Sequence, residues 1–427
     1  MLIEFNVTNY LSIRDQTTLS LVKAKSEELK STNTFVPGAP ATPELLRSCA
    51  LYGANAAGKS NFIKALQFMK KLVMRSAIES QAGEKLDITP FLLDDTSRNK
   101  PSEFEVTFVS QGVRYQYGFS ATQERIIDEW LLAYPKGRPQ RWIERSYNEK
   151  SQAYVWGKMQ KLSGQKQVWQ AATRSNALFL STAIQLNNQQ LKPVFEWFSS
   201  TLRVAASIGG WSAGYSIELC ENKETRDKII SFLKAADVDI DDIQLEKEKF
   251  NKENLPDDIP DEVKKQIEEQ FGDKPIVNVK TAHFLTSGKK VLFDLANESD
   301  GTRKIFALAG PWIDTLENGY VLVIDELHDN LHPLMVKFLV NLFHCRETNP
   351  KNAQLIFTTH DTSILNQEMF RRDQIWFCEK DKDQSSKLYP LTDFSPRKGV
   401  ENLERGYLAG RYGALPYLEN IKLAMGC

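Results

Sequence analysis

Between residues 53 and 60 the chain reads Gly53-Ala54-Asn55-Ala56-Ala57-Gly58-Lys59-Ser60, two glycines spaced by four residues and followed by a lysine and a hydroxyl. Glycine at both ends lets the backbone turn so that successive N–H groups point inward, a shape that cradles phosphate oxygens. Such a loop works only between a strand that anchors it and a helix whose N-terminus adds partial positive charge. Both flanks are legible. Cys49-Ala50-Leu51-Tyr52 reads as a short apolar strand, and Phe62, Leu66, Met69 and Val73 recur on one helical face. Gly53, Asn55, Ala57, Gly58 and Asn61 are expected around the phosphates, with Lys59 reaching the β/γ-phosphates and the Ser60 hydroxyl on Mg2+. The expectation is a nucleoside triphosphate site.

A second half-site lies far along the chain. Tyr320-Val321-Leu322-Val323-Ile324 is continuously apolar, the pattern of a strand buried on both faces, and it ends in Asp325-Glu326. In a phosphate-loop ATPase Asp325 holds the Mg2+ shell and Glu326 orients and polarises water. Leu355-Ile356-Phe357-Thr358-Thr359 is a further apolar strand, followed at once by His360, which is placed to sense a γ-phosphate. Glu298-Ser299-Asp300-Gly301-Thr302 opens a helical pattern carrying Ile305, Leu308, Ala309, Trp312 and Leu316 on one face, with a bend at Gly310-Pro311. Ser299 has two readings here, an ordinary N-cap or part of a phosphate-accepting helix start.

Composition removes several classes. A formal net charge of -1 excludes a globally basic nucleic-acid binder, while a local patch stays open. No apolar run approaches the ~20 residues needed to span a bilayer, and no charged-then-apolar leader opens the chain. Five scattered cysteines without a C-x-x-C pair fit a reducing compartment. A cytoplasmic protein without membrane contact is expected.

In the order phosphate loop, Ser-x-Gly helix start, Asp-Glu strand and His strand, these motifs resemble the ABC-type ATPases. The resemblance is to the soluble branch that includes the RecF, SMC and overcoming-lysogenization-defect ATPases. Phe5-Asn6-Val7-Thr8-Asn9-Tyr10-Leu11-Ser12-Ile13 resembles its first strand, and Asp325-Glu326-Leu327-His328-Asp329-Asn330-Leu331-His332-Pro333 its carboxylate motif and dimer-facing loop. The resemblance implies an α/β fold: an ABC-type P-loop ATPase head with an antiparallel β lobe and a mainly helical insertion. It implies ATP and Mg2+ held between two heads of a homodimer or higher oligomer. Lys59, Ser60, Asp325, Glu326 and His360 then act in cis, and Ser299 and Gly301 reach the γ-phosphate of the other head. There are departures: the helix start reads Glu-Ser-Asp-Gly-Thr in place of Leu-Ser-Gly-Gly-Gln, and Gln111 and Gln116 lie on an expected hairpin, a poor context for the coupling glutamine.

The implied organisation is 1–130 for the N-terminal half of the head, 131–275 for the insertion, 276–395 for the C-terminal half and 396–427 for a tail. Phe104, Val106 and Phe108, then Val113, Tyr115, Tyr117 and Phe119, alternate about Ser110-Gln111-Gly112 as a β-hairpin. Leu191 to Leu202 is expected to be a helix, and the charged stretch from Leu245 to Lys274 a flexible arm or a solvated helix carrying Val263, Ile267 and Phe271. Asp237 to Asp242 reads as a half-wet strand before an acidic metal site. Lys136, Arg138, Arg141, Trp142 and Arg145 are either a solvated hairpin tip or a nucleic-acid contact. The tail, with Arg405, Tyr407, Gly410, Arg411, Tyr412 and Gly413, does not fit a regular helix. With Arg371 to Phe377 it resembles the ATPases of anti-phage abortive-infection operons, the RloA and AbiL type with the PARIS and Septu ATPases as relatives. That resemblance implies a regulatory ATPase with a nuclease or toxin effector encoded nearby and a phage protein as trigger. From composition and place, the tail has two readings: a read-out to that partner through Arg405, Tyr407, Arg411 and Tyr412, or tyrosines that fill a groove on this head or seal a homo-oligomer contact. A RecF-like DNA-maintenance ATPase is the main rival.

Overall fold

The computed structural model describes residues 1–79, 81–205, 211–249, 263 and 275–416. Two compact units arise, Met1–Ile208 with Thr315–Cys427, and Gly209–Asp314.

The first unit is built on two large sheets, beside a small ribbon of Thr34–Phe35 paired with Leu45–Leu46. One has six strands in the order Leu202–Ala205, Val321–Ile324, Gln354–Thr358, Ser48–Tyr52, Ile375–Lys380 and Ser386–Pro390. The first five run parallel and the last is antiparallel. Every residue of Ser48–Tyr52, Val321–Ile324 and Gln354–Thr358 is buried, which is why these segments read as unbroken apolar runs. The other sheet is antiparallel, in the order Ala153–Trp156, Gln140–Asn148, Ile126–Tyr134, Val113–Ala121, Ser102–Ser110, Leu2–Thr8 and Thr17–Ser20. Its Ser102–Ser110 and Val113–Ala121 strands meet at Gln111 (φ 48°) and Gly112 (φ 74°), the positive-φ pair of a tight hairpin turn.

Helix Lys59–Arg75 binds the two sheets together. Its stripe of Phe62, Leu66, Met69 and Val73 is buried in one core with Phe5, Val7 and Phe104 of the antiparallel sheet and Cys49, Leu51 and Val323 of the parallel one. Each such side chain removed from water contributes roughly 1.5–3 kcal/mol. Buried Gln354 adds a polar stitch: its amide nitrogen donates to Leu2 O (3.0 Å) and Leu46 O (3.1 Å), and its oxygen accepts the Leu2 N–H (2.6 Å).

In the second unit the strands Asp242–Lys249, Pro275–Phe284 and Lys290–Asp294 form an antiparallel sheet. Helix Asp300–Asn318 begins in this unit and runs unbroken through Pro311. Proline lacks the N–H that the carbonyl of Ala307 would use. The buried Ser216 hydroxyl fills in, donating to Ala307 O (3.3 Å) and accepting the Gly310 N–H (3.0 Å). The expected bend is thus bridged by one side chain.

Several expectations need correction. The stretch 131–275 is not one helical insertion. Its first part completes the antiparallel sheet, Leu202–Ala205 joins the parallel sheet beside Val321–Ile324, and only the remainder enters the second unit. Strand pairing across distant sequence, not local composition, decides this. Between Leu191 and Leu202, regular helix covers Lys192–Glu196, a wider turn covers Trp197–Thr201, and Leu202 opens a strand. Asp237 takes φ 61° and the strand starts only at Asp242, so the acidic run is mostly irregular backbone around buried Ile240. Most of the charged Leu245 to Lys274 stretch, with Ile267 and Phe271, lies outside the described residues.

The basic cluster also divides. Arg145 is buried, donates to Ala177 O (2.8 Å) and Arg174 O (3.0 Å), and lies 3.8 Å over the Tyr154 ring; Trp142 is buried as well. Arg145 faces Glu129 at 3.7 Å, whose carboxylate accepts the N–H groups of Phe179 (2.7 Å) and Leu180 (3.0 Å) at a helix start. These residues hold the lobe together and do not present a nucleic-acid surface.

The tail does contain a helix, Leu403–Leu408, capped by Asn402, whose side chain accepts the Arg405 N–H at 2.8 Å. Tyr407 and Tyr412 are buried and stack on Phe377 of the strand next to the phosphate-loop strand, at centroid distances of 5.3 and 5.6 Å. Tyr407 donates to Ala414 O (3.1 Å) and Tyr412 to Glu401. Both tyrosines are core residues of this head and cannot be partner contacts. Tyr412→Ala is therefore expected to destabilise the fold by about 3–5 kcal/mol. Arg411→Ala, which removes a half-exposed pair with Glu401 (2.7 Å) and a guanidinium 5.9 Å over the Tyr412 ring, should cost about 1 kcal/mol. Urea denaturation of the two variants checks this, and equal midpoints would contradict the packing argument.

Candidate functional site

The loop geometry requires its glycines. Gly53 has φ +152° and Gly58 φ +114°; a β-carbon on Gly53 would collide with the Cys378 carbonyl oxygen, and one on Gly58 with the Ser386 hydroxyl. Gly58 leads directly into helix Lys59–Arg75. Lys59 is buried, and its ammonium donates to Gly53 O (2.7 Å) and Ala54 O (3.1 Å) and lies 3.5 Å from His360 Nδ1. Burial pulls its pKa below the usual lysine value, against the opposing pull of Cys378, Asp325 and Glu326.

A hydroxyl brace holds the loop from outside. Ser386 Oγ lies 2.6 Å from Ala57 O and 2.8 Å from Ser12 Oγ, the Ser386 N–H donates to Ser12 O (2.7 Å), and Asn61 donates to Ser12 Oγ (2.8 Å). Neither serine was singled out for this role from sequence. Ser12 lay within the first-strand segment, while Ser386 carries no local signal because only the fold brings it here.

The strand carrying His360 lies between the phosphate-loop strand and the strand ending in Asp325. Asp325 is buried, its Oδ1 accepting the Thr358 hydroxyl (2.6 Å), and that hydroxyl accepts the Glu326 N–H (2.8 Å). Glu326 has φ 55° and its Oε1 is 3.9 Å from His360 Nε2. Burial, then Lys59 and His328, push the His360 pKa below the ordinary histidine value. His328 stands edge-on to His360 at 5.2 Å between centroids. His332 caps the helix Pro333–His344, its Nδ1 accepting the Leu334 N–H at 3.2 Å.

A cleft of about 450 Å³ gathers Asn55, Ala57, Gly58, Lys59, Ser60 and Asn61 with Glu326, His360, Ser12 and Lys380. Distant parts of the chain thus converge as expected, with Asp325 beside Glu326. Gln111 and Gln116 do not join them: Gln111 donates to Glu196 (3.0 Å) and Gln116 accepts from Tyr134 (3.1 Å). Ser299 and Gly301 belong to the second unit, where Ser299 Oγ accepts the Thr302 N–H (3.1 Å) as an N-cap does.

A glycine loop on one parallel strand, two acids on another and a histidine on the strand between them have the layout of a P-loop domain. Residues 49–366, well over half of the chain, match the family described as "AAA domain, putative AbiEii toxin, Type IV TA system". The chain belongs to that family. Among solved structures it is similar to an SMC head bound to the C-winged helix domain of ScpA, at 14% identity over 91% of this chain and 97% of that one, TM-score 0.43. It is also similar to the SMC head domain from Thermotoga maritima, at 14% identity over 91% and 98%, TM-score 0.39. A third is the RecF–ATP structure of the RecFOR pathway, at 11% identity over 85% and 94%, TM-score 0.33. No curated protein matches the chain.

The residues present suit Mg2+. Ser60 and Asp325 offer one hydroxyl and one carboxylate. Among the described residues no group of three or more His, Cys, Asp or Glu could hold a metal alone. Such a sparse oxygen set is what Mg2+ uses when phosphates and water complete its octahedron. Among the described residues, no helix is long and apolar enough to cross a membrane.

Proposed function

We propose that this protein binds and hydrolyses ATP in the cytoplasm and that turnover controls a nuclease or toxin encoded beside it, as in the RloA and AbiL type of anti-phage system. The observation that carries the reading is the convergence of Lys59, Glu326 and His360 on one cleft, joined to membership of a family whose description names a toxin–antitoxin system. Lys59 and the inward N–H groups of the loop would neutralise the β/γ-phosphates. Ser60 and Asp325 would hold Mg2+, which spreads the negative charge of the phosphate oxygens. Glu326 would orient and polarise the attacking water, and His360 would donate a ring N–H to the γ-phosphate.

A second head would supply Ser299 and Gly301. Glycine in the first turn of a helix costs stability, and at Gly301 a β-carbon would meet, among the described residues, only Ser299 Oγ, at a comfortable 3.7 Å. Packing among the described residues gives no reason for that glycine, whereas close approach of a phosphate would.

A DNA-maintenance role has one observation in its favour. Lys64, Lys70, Lys71 and Arg75 line a groove of about 580 Å³ along the helix that begins with Lys59. A stripe of this kind suits a phosphate backbone.

Co-expression with the adjacent gene separates these readings. The regulatory role predicts that the wild-type ATPase holds the neighbour's effect on growth in check, and that an ATP-binding-deficient variant changes it. No change in growth, together with hydrolysis stimulated by DNA, would select the second reading.

A further inference from the structure

We propose that Thr358 is the positioning residue for both acids, holding Asp325 and Glu326 in the arrangement that hydrolysis needs. It rests on the reading that these acids serve ATP hydrolysis, and it adds a residue that touches neither nucleotide nor metal.

A buried threonine at a strand end commonly does nothing more than pack. Thr358 differs in where its polar atoms go. Its hydroxyl donates to Asp325 Oδ1 at 2.6 Å and accepts the Glu326 N–H at 2.8 Å, while its carbonyl accepts the Leu327 N–H at 3.1 Å. Residues 325 to 327 are therefore clamped onto one residue of the neighbouring strand. The clamp matters because Glu326 has φ 55°, a left-handed conformation that residues other than glycine seldom adopt and that persists only when its surroundings enforce it. Of the bonds that hold this turn, the one to the Glu326 N–H comes from the Thr358 hydroxyl.

Two consequences follow. With Oδ1 engaged by Thr358, the rotation of the Asp325 carboxylate is defined, and its second oxygen would be left free to hold Mg2+. Thr358 is also followed by Thr359 and His360 on the same chain. The Thr359 hydroxyl accepts the Asp361 N–H at 3.0 Å, fixing the exit of the strand. The acid turn and the sensing histidine thus share one rigid frame, and Thr358 is the joint between them.

The test compares Thr358→Val, which keeps shape and loses the hydroxyl, with Thr358→Ser, which keeps the hydroxyl. Steady-state hydrolysis is measured against ATP and against Mg2+, with binding of a fluorescent ATP analogue and thermal melting as controls. Thr358→Val is expected to lose about 10–100-fold in kcat and to need more Mg2+ for half-maximal activity, the range seen when a ligand's supporting hydrogen bond is removed. KM for ATP should hardly move, because Lys59 and the loop are intact. Thr358→Ser should recover most of the rate. Should Thr358→Val fail to fold, Thr358→Ala against Thr358→Ser gives the same comparison. A folded Thr358→Val with wild-type kcat and Mg2+ dependence overturns the proposal, as does a serine variant as slow as the valine one. If Glu326→Gln hydrolyses normally, the reading beneath has failed. If Glu326→Gln is inactive while Thr358→Val is normal, only the positioning role has failed.

Discussion

Lys59→Ala is expected to abolish ATP binding, and hydrolysis with it. The Lys59 ammonium is the one cation that the loop itself directs inward, donating to Gly53 O and Ala54 O at 2.7 and 3.1 Å. Those two carbonyls already aim it at the centre of the loop, so little reorganisation separates this state from one in which it meets phosphate oxygens. Charge-assisted bonds of this kind are roughly twice as strong as neutral ones, and in a partly desolvated cleft they are screened little. Alanine removes that charge and leaves the loop itself with only backbone dipoles to offer the phosphates. A fluorescent-nucleotide titration reads the loss directly. Retention of wild-type affinity in a folded Lys59→Ala protein would remove the phosphate-loop assignment. The same variant tests the composite site. Mixed with Ser299→Arg, each inactive alone, it should regain hydrolysis, because a mixed pair contains one site with both an intact loop and an intact Ser299. If mixed dimers form and no ratio restores activity, the trans role of Ser299 is wrong.

Glu326→Gln should bind ATP and hydrolyse it about 10²–10⁴-fold more slowly, the range for loss of a positioned general base. The substitution keeps size and backbone, including the left-handed φ of 55° and the bond from the Glu326 N–H to Thr358. It removes only the carboxylate that polarises water. Lys59, Ser60 and Asp325 are untouched, so nucleotide affinity should persist and the ATP-bound state should accumulate. Single-turnover hydrolysis beside nucleotide binding makes the distinction. Wild-type turnover would move the base to another residue, and His360, 3.9 Å from Glu326, would be the first to examine.

Much of this site was legible before any fold was known. The glycine loop announces itself because backbone geometry at Gly53 and Gly58 tolerates almost nothing else. The flanking strand and helix follow from periodicity. The strands before Asp325 and His360 were readable because strands buried on both faces must be apolar throughout. Lys59, Glu326 and His360 line one cleft although they lie far apart in sequence. The tail misled for an equally physical reason. Tyrosine and arginine dominate interfaces, but they also fill cores when a carbonyl or carboxylate meets the hydroxyl, and composition does not tell the two apart. Arg145 and Trp142 misled in the same way, a buried arginine with carbonyl partners looking like a surface cation in one dimension.

What the sequence by itself determined is the local elements: a glycine loop, its helix, and two acids and a histidine at strand ends. Glycine conformation, helical period and unbroken apolar runs are properties of adjacent residues and need no tertiary partner. Only the tertiary structure decided what stands behind them. It brought Ser386 against Ala57 and Ser12, set Thr358 between Asp325 and Glu326, placed the His360 strand between the other two, and buried Tyr407 and Tyr412 on Phe377. Each of these contacts depends on strand order and on hydrogen bonds between residues remote in sequence. Nothing in the chain around Ser386 or Thr358 encodes a partner that arrives only when the sheet closes.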